Sequence, residues 1–104
     1  MTEPIKIRAQ MKGGIADIRI LIKHPNETGL RKDPDSGKLI PAHYIQSITV
    51  DVAGRRAVEG HTNIALSANP VLAFKVRNAK AGDAVTVSWV DNFGEQRSDT
   101  TPLI

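Results

Sequence analysis

The 104-residue chain contains no cysteine. This removes structural disulfides, thiolate zinc sites, iron–sulfur clusters and a cysteine nucleophile from the chain. It leaves the compartment open, because a chain of this length can bury a core without covalent staples. Aromatic residues are nearly as scarce, with only Tyr44, Phe74, Trp89 and Phe93. None precedes Tyr44, yet the basic excess lies there. Residues 1–32 carry seven basic and three acidic side chains, against seven and eight in the remainder. A nucleic-acid surface would interleave the two, so the net charge of +3 reads as a solvated surface and no nucleic-acid partner is expected. No apolar run is long enough to form a membrane-spanning helix. Met1-Thr2-Glu3-Pro4 leads straight into a strand pattern, so no secretory signal of the chain's own is expected.

What is present is period-two alternation in a sequence rich in Val, Ile and Thr. Ile5 and Ile7 open a short first strand, and Gly13-Gly14 turns it. Ile18, Ile20 and Ile22 share one face of a second strand. Tyr44, Gln46, Ile48, Val50 and Val52 are expected as the inward row of a third, with Ile45, Ser47, Thr49 and Asp51 opposite. Ala53-Gly54 turns into a strand around Arg56 to Val58, and a short apolar segment follows at Ile64 to Leu66. Leu72, Phe74 and Val76 share a face. Val85, Val87 and Trp89 form a further inward row, which makes Trp89 a core residue. Asp91 to Glu95 is a hairpin loop, and Gln96 to Ile104 the last strand. With about seven short antiparallel strands and no amphipathic helix, the chain reads as one all-β domain over residues 1–104, an immunoglobulin-like β-sandwich.

The rhythm breaks from His24 to Ile45, where prolines, glycines and an Arg-Lys-Asp run replace the alternation. So long a connection in a small domain is a functional lead. Asp33-Pro34-Asp35-Ser36-Gly37 begins like a calcium loop. It places glycine one position early and Tyr44 where a bidentate Glu should close the site, so a β-turn is expected instead. His24, His43 and His61 offer imidazoles for copper or zinc, and the loop allows His24 and His43 to approach each other. Their spacing is no metal signature, and no metal is expected. His24 also continues the row of Ile18, Ile20 and Ile22, which places its ring to cap the core. No hydrolase elbow, phosphate loop or zinc-protease motif is present, so no enzymatic activity and no cofactor are expected.

Lys-His-Pro-Asn-Glu-Thr-Gly-Leu-Arg-Lys-Asp at 23–33 and Gly-Lys-Leu-Ile-Pro-Ala-His-Tyr-Ile at 37–45 resemble the signature of the SoxZ family. Ser67-Ala68-Asn69-Pro70, Phe74-Lys75, Lys80-Ala81-Gly82-Asp83 and Val87-Ser88-Trp89-Val90-Asp91 follow in the same order. Asn26 departs from the pattern, since many members carry Met after His-Pro. The resemblance implies a non-catalytic subunit of a periplasmic sulfur carrier in bacterial thiosulfate oxidation. Its partner would be SoxY, whose flexible Gly-Gly-Cys-Gly-Gly arm holds the sulfur and visits other Sox enzymes. It also implies export together with that partner. On this reading the candidate partner-binding residues are His24, Pro25, Glu27, Arg31, Lys32, Asp33, Pro41 and Tyr44. Arg31 and Lys32 suit docking to acidic patches or sulfur oxyanions, and Asp33 suits holding the loop through Arg31 or backbone amides. Pro25 and Pro41 stiffen the loop ends. Two other classes remain: a free-standing immunoglobulin-like binding module, for which aromatic platforms are few, and a small metal-binding protein. An uncovered sheet edge also allows a homodimer of the isolated chain.

Overall fold

The computed structural model describes residues 3–61 and 68–104, apart from the side chain of His61, so the apolar segment Ile64 to Leu66 lies outside the described residues. Seven strands follow one another as β1 Lys6–Lys12, β2 Ile15–Leu21, β3 Ile45–Val52, β4 Arg55–His61, β5 Val71–Val76, β6 Ala84–Asp91 and β7 Gln96–Pro102. They make two antiparallel sheets, one ordered β1-β2-β5 and the other β4-β3-β6-β7. Among the described residues there is no helix. The chain is an all-β, immunoglobulin-like sandwich.

Alternation produces this architecture because each strand buries every second residue. Ile18, Ile20 and Ile22 from one sheet meet Ile48, Val50, Val52, Val85, Val87 and Trp89 from the other, all essentially inaccessible to water. Each such side chain contributes about 1.5–3 kcal/mol on burial. The exposed ion pairs of the sheet faces contribute far less. β1 is longer than expected, its inward row continuing from Ile5 and Ile7 to Ala9 and Met11. Gly13 and Gly14 both have positive φ (59° and 80°), as a two-residue turn matching the strand twist demands.

The third strand departs from the expected row. Ile45 is fully buried and Gln46 exposed, the reverse of simple alternation from Tyr44. The cause is a bulge: Ile45 opposes Asp91 while Ser47 opposes Val90, so two steps on β3 match one on β6. One extra residue moves the upstream side chains to the opposite face.

The two lateral sides of the sandwich differ. At one, the chain end ties the sheets together. Met11 N–H donates to the Ile104 carbonyl (2.7 Å), Ile104 N–H to Ala9 (3.2 Å), and Ile5 N–H to the Asp99 carboxylate (2.8 Å). The other side lies between the edge strands β4 and β5, neither of which has a second strand partner among the described residues.

Candidate functional site

The 24–45 connection passes from β2 in one sheet to β3 in the other. It is more ordered than a broken alternation suggests. Glu27 and His43 exchange backbone hydrogen bonds (2.6 and 2.9 Å), Ile40 N–H reaches the Arg31 carbonyl (2.8 Å), and Asp33 N–H reaches Lys38 (2.8 Å). The segment is therefore a hairpin-like finger with a base, a neck and a tip. At the neck Gly29 has φ +85°, and a Cβ there would lie 3.2 Å from that of Ala42. Only glycine allows the two arms to approach so closely without strain.

The base is built from the ends of two inward rows on facing sheets. His24 follows Ile22, and Asp91 follows Trp89. Asp91 has no exposed side-chain surface. Its Oδ2 meets His24 Nε2 at 3.0 Å and His43 Nε2 at 2.7 Å, while its Oδ1 accepts the backbone N–H groups of Phe93 (3.0 Å) and Glu95 (2.9 Å). Burial pushes this carboxyl's pKa up, but the bonds from His24, His43, Glu95 and Phe93 outweigh it and hold it below the ordinary carboxylate value.

The tautomer of His24 follows from its other nitrogen. Nδ1 accepts the backbone N–H of Asn26 (3.1 Å), so the ring proton sits on Nε2 and is donated to Asp91. The His24 ring also meets Trp89 edge-on at 5.1 Å and His43 at 4.5 Å, and His43 stacks on Phe93 at 4.1 Å. Thus the two loop histidines do come together, on an aspartate that the loop itself does not contain.

Three ligand-type atoms within 4.8 Å of one another raise the question of a metal. Tetrahedral ligands at ~2.0–2.1 Å from zinc sit roughly 3.3 Å apart, wider than either His–Asp contact here. In addition, a neutral His24 binding a metal through Nε2 would carry its proton on Nδ1, facing the Asn26 N–H. The arrangement is that of a hydrogen-bonded brace. Both nitrogens of His24 are engaged, and among the described residues no hydroxyl or amine bonds to the cluster.

Amides complete the base. Asn26, at φ +46°, takes a left-handed conformation that Asn tolerates better than most residues, and its Oδ1 accepts Ile45 N–H (3.0 Å). Asn92 Oδ1 accepts Tyr44 N–H (2.8 Å) and its Nδ2 donates to the Ala42 carbonyl (2.8 Å). Asn69 receives the His24 N–H at 3.0 Å.

The candidate residues separate along the finger. His24 is interior, so it acts on any partner only through the loop it anchors. Tyr44 is half-buried beside Asn92, and Pro25 and Pro41 are exposed at the two arms. Glu27 pairs its backbone with His43 and its carboxylate with the Arg31 guanidinium, which holds the Glu27 carboxyl below its ordinary range. Lys32 is exposed. Asp33 takes the second of its expected roles, accepting the N–H of Asp35 (2.8 Å). Gly37 N–H closes the tip on the Asp33 carbonyl (2.8 Å), a turn rather than a calcium loop.

Sequence reasoning missed Asp91, Asn92 and Phe93, having assigned them to a hairpin loop. The signal existed: Asp91 holds the next inward position after Val85, Val87 and Trp89. A carboxylate there needs buried donors.

A search of curated proteins gives no match. The family model described as "Sulphur oxidation protein SoxZ" matches residues 5–102, nearly the whole sequence, and the chain belongs to the SoxZ family, a subunit of the sulfur-oxidising Sox system.

Proposed function

We propose that this chain is the non-catalytic subunit of a periplasmic SoxYZ-type carrier heterodimer in thiosulfate oxidation. The observation that carries the reading is the family match over residues 5–102, taken together with the absence of cysteine. A carrier that binds sulfur covalently through a thiolate must then place that thiolate on another chain. The partner supplies a flexible, glycine-flanked cysteine arm, and this chain supplies a rigid base and a docking finger. Bracing His24, His43 and Asp91 at the finger base lowers the ordering cost of each encounter, because the finger's direction is set before docking. The exposed tip, with Arg31 and Lys32, suits brief encounters with acidic surfaces of pathway enzymes. On this reading the chain is exported together with its partner.

Co-expression with a SoxY-type protein ending in a glycine-flanked cysteine tests this directly. A one-to-one complex by light scattering is expected, and its recovery from the periplasm should be lost when the partner's signal is deleted. Two independent monomers would sink the carrier-subunit reading.

The cluster of His24, His43 and Asp91 keeps a small metal-binding protein as the second reading. Tight stoichiometric uptake of copper or zinc, lost in Asp91→Asn, would favour it over the brace.

A further inference from the structure

Between the start of β4 and the end of β5, on the open side of the sandwich, lies a groove of about 370 Å³. Its walls are Arg55 and Arg56 on one sheet and Lys75 and Arg77 on the other, over an apolar floor that includes Val52 and Val76. No carboxylate lines it. Arg56 is neutralised by Asp51 (2.6 Å) and Glu59 (3.5 Å), and the field of Lys75 reaches Asp17. Arg77 has no carboxylate partner among the described residues, and Arg55 bonds only the Asn78 carbonyl at 3.4 Å. Positive charge therefore remains in excess at the groove.

The groove also runs between two strand edges that have no second strand partner among the described residues. On the opposite side of the sandwich the hydrogen bonds of Ile104, Met11 and Ile5 occupy part of the edge, whereas among the described residues the β4 and β5 edges beside the cationic wall carry no such bonds. An exposed edge recruits another strand unless charge or shape forbids it. A second copy of this chain is disfavoured here, since it would bring Arg55, Lys75 and Arg77 against their own kind. An acidic strand meets no such repulsion.

We propose that this groove docks an extended, acidic segment of a partner protein by strand addition, with backbone pairing to the β5 or β4 edge and carboxylates facing Arg55, Lys75 and Arg77. The site is remote in sequence from the finger and does not depend on the carrier-complex reading.

The test is an NMR titration of the whole, isotopically labelled chain with an alternating Thr-Glu octapeptide, with a Thr-Lys octapeptide and sodium sulfate as controls. Shifts should gather at Arg55–Ala57 and Ala73–Asn78 and fade with added salt. Binding should weaken by roughly tenfold or more in Arg55→Glu with Arg77→Glu, both exposed positions whose folding is checked by circular dichroism. Arg77→Gln, a milder change, should weaken it to a smaller extent. Absence of shifts at millimolar peptide, equal binding of the Thr-Lys peptide, or shifts confined to the finger would overturn the proposal. So would complete displacement by equimolar sulfate, which would mark a small-anion site, or a dimer formed through the β5 edge.

Discussion

The base and the tip of the finger belong to one connection but are held by different physics. At the base, Asp91 is sealed from solvent and takes four hydrogen bonds, while Asn26 and Asn92 satisfy the neighbouring amides. Beside the local bonds of Phe93 and Glu95, the contacts that anchor the two arms join residues far apart in sequence: His24 and His43 to Asp91, Asn26 to Ile45, and Asn92 to Tyr44. At the tip the bonds are local: Asp33 to Asp35, Ser36 to Lys38, Arg31 to Glu27. Long-range buried bonds fix a direction and are costly to break. Short-range exposed bonds shape a turn and leave the surrounding charges available to others. The base therefore carries the stability of the loop, and if the tip is the docking surface proposed above, mutations at the two ends should separate stability from recognition.

The largest effect is expected at Asp91. Asp91→Asn is nearly isosteric, yet one half of the amide is a donor. With Oδ1 still serving Phe93 and Glu95, the amide nitrogen faces the Nε2–H of His24, and that ring cannot switch tautomer while Asn26 N–H occupies Nδ1. At least one buried donor is left unpaired, which costs about 1–3 kcal/mol. Urea unfolding should show this. A loss below about 1 kcal/mol would mean that the base is no brace.

The same carboxylate gives the base its own pH response. Because its folded pKa lies below its ordinary value of 3.8, its contribution is complete above that value and is lost as pH falls through the lower, folded one. Unfolding midpoints taken from about pH 6 to about pH 3 should fall less steeply in Asp91→Asn than in the parent. Parallel slopes would assign the acid sensitivity to the half-buried surface carboxylates instead, for Glu27, Asp17 and Asp99 are also held low by their cationic partners.

Much of this was legible in sequence, and the boundary of legibility is physical. Alternation located the strands and put Val85, Val87 and Trp89 inward, because pleat parity is a local property. The same parity carried His24 to the end of the β2 row and would have carried Asp91 to the end of the β6 row. Their meeting required knowing which strands face each other across two sheets, and no local pattern records that. The bulge near Gln46 reversed the expected faces of Tyr44 and Ile45, since one inserted residue leaves no compositional trace. The finger's pairing was hidden for a similar reason. Its arms are joined by isolated bridges and by the side chains of Asn26 and Asn92, not by a repeating ladder.

The neck should show an intermediate effect. Gly29→Ala places a methyl group 3.2 Å from Ala42 Cβ at a φ of +85°, and the left-handed backbone alone costs roughly 1–2 kcal/mol. The arms must separate or twist. Amide exchange should quicken at Glu27 and His43 while the core strands stay protected. Uniform quickening would show that the neck and the sandwich open as one unit, with no separate finger.

The smallest effect on stability, and the largest on recognition, is expected at the tip. Arg31 and Lys32 are exposed, and Arg31 spends its guanidinium on Glu27, a surface pair of little net stabilisation. Replacing both with Ala should move stability by less than about 0.5 kcal/mol. Glu27 keeps its backbone bonds to His43, so the finger retains its direction. If the tip docks pathway enzymes through charge, association should slow and lose much of its salt dependence, while the lifetime of the formed complex changes less. Thiosulfate-dependent turnover in a reconstituted system would then fall at low carrier concentration and recover as the carrier is raised. Unchanged association would return both side chains to an ordinary solvated face, and the base would then be bracing a finger whose working surface lies elsewhere along its arms.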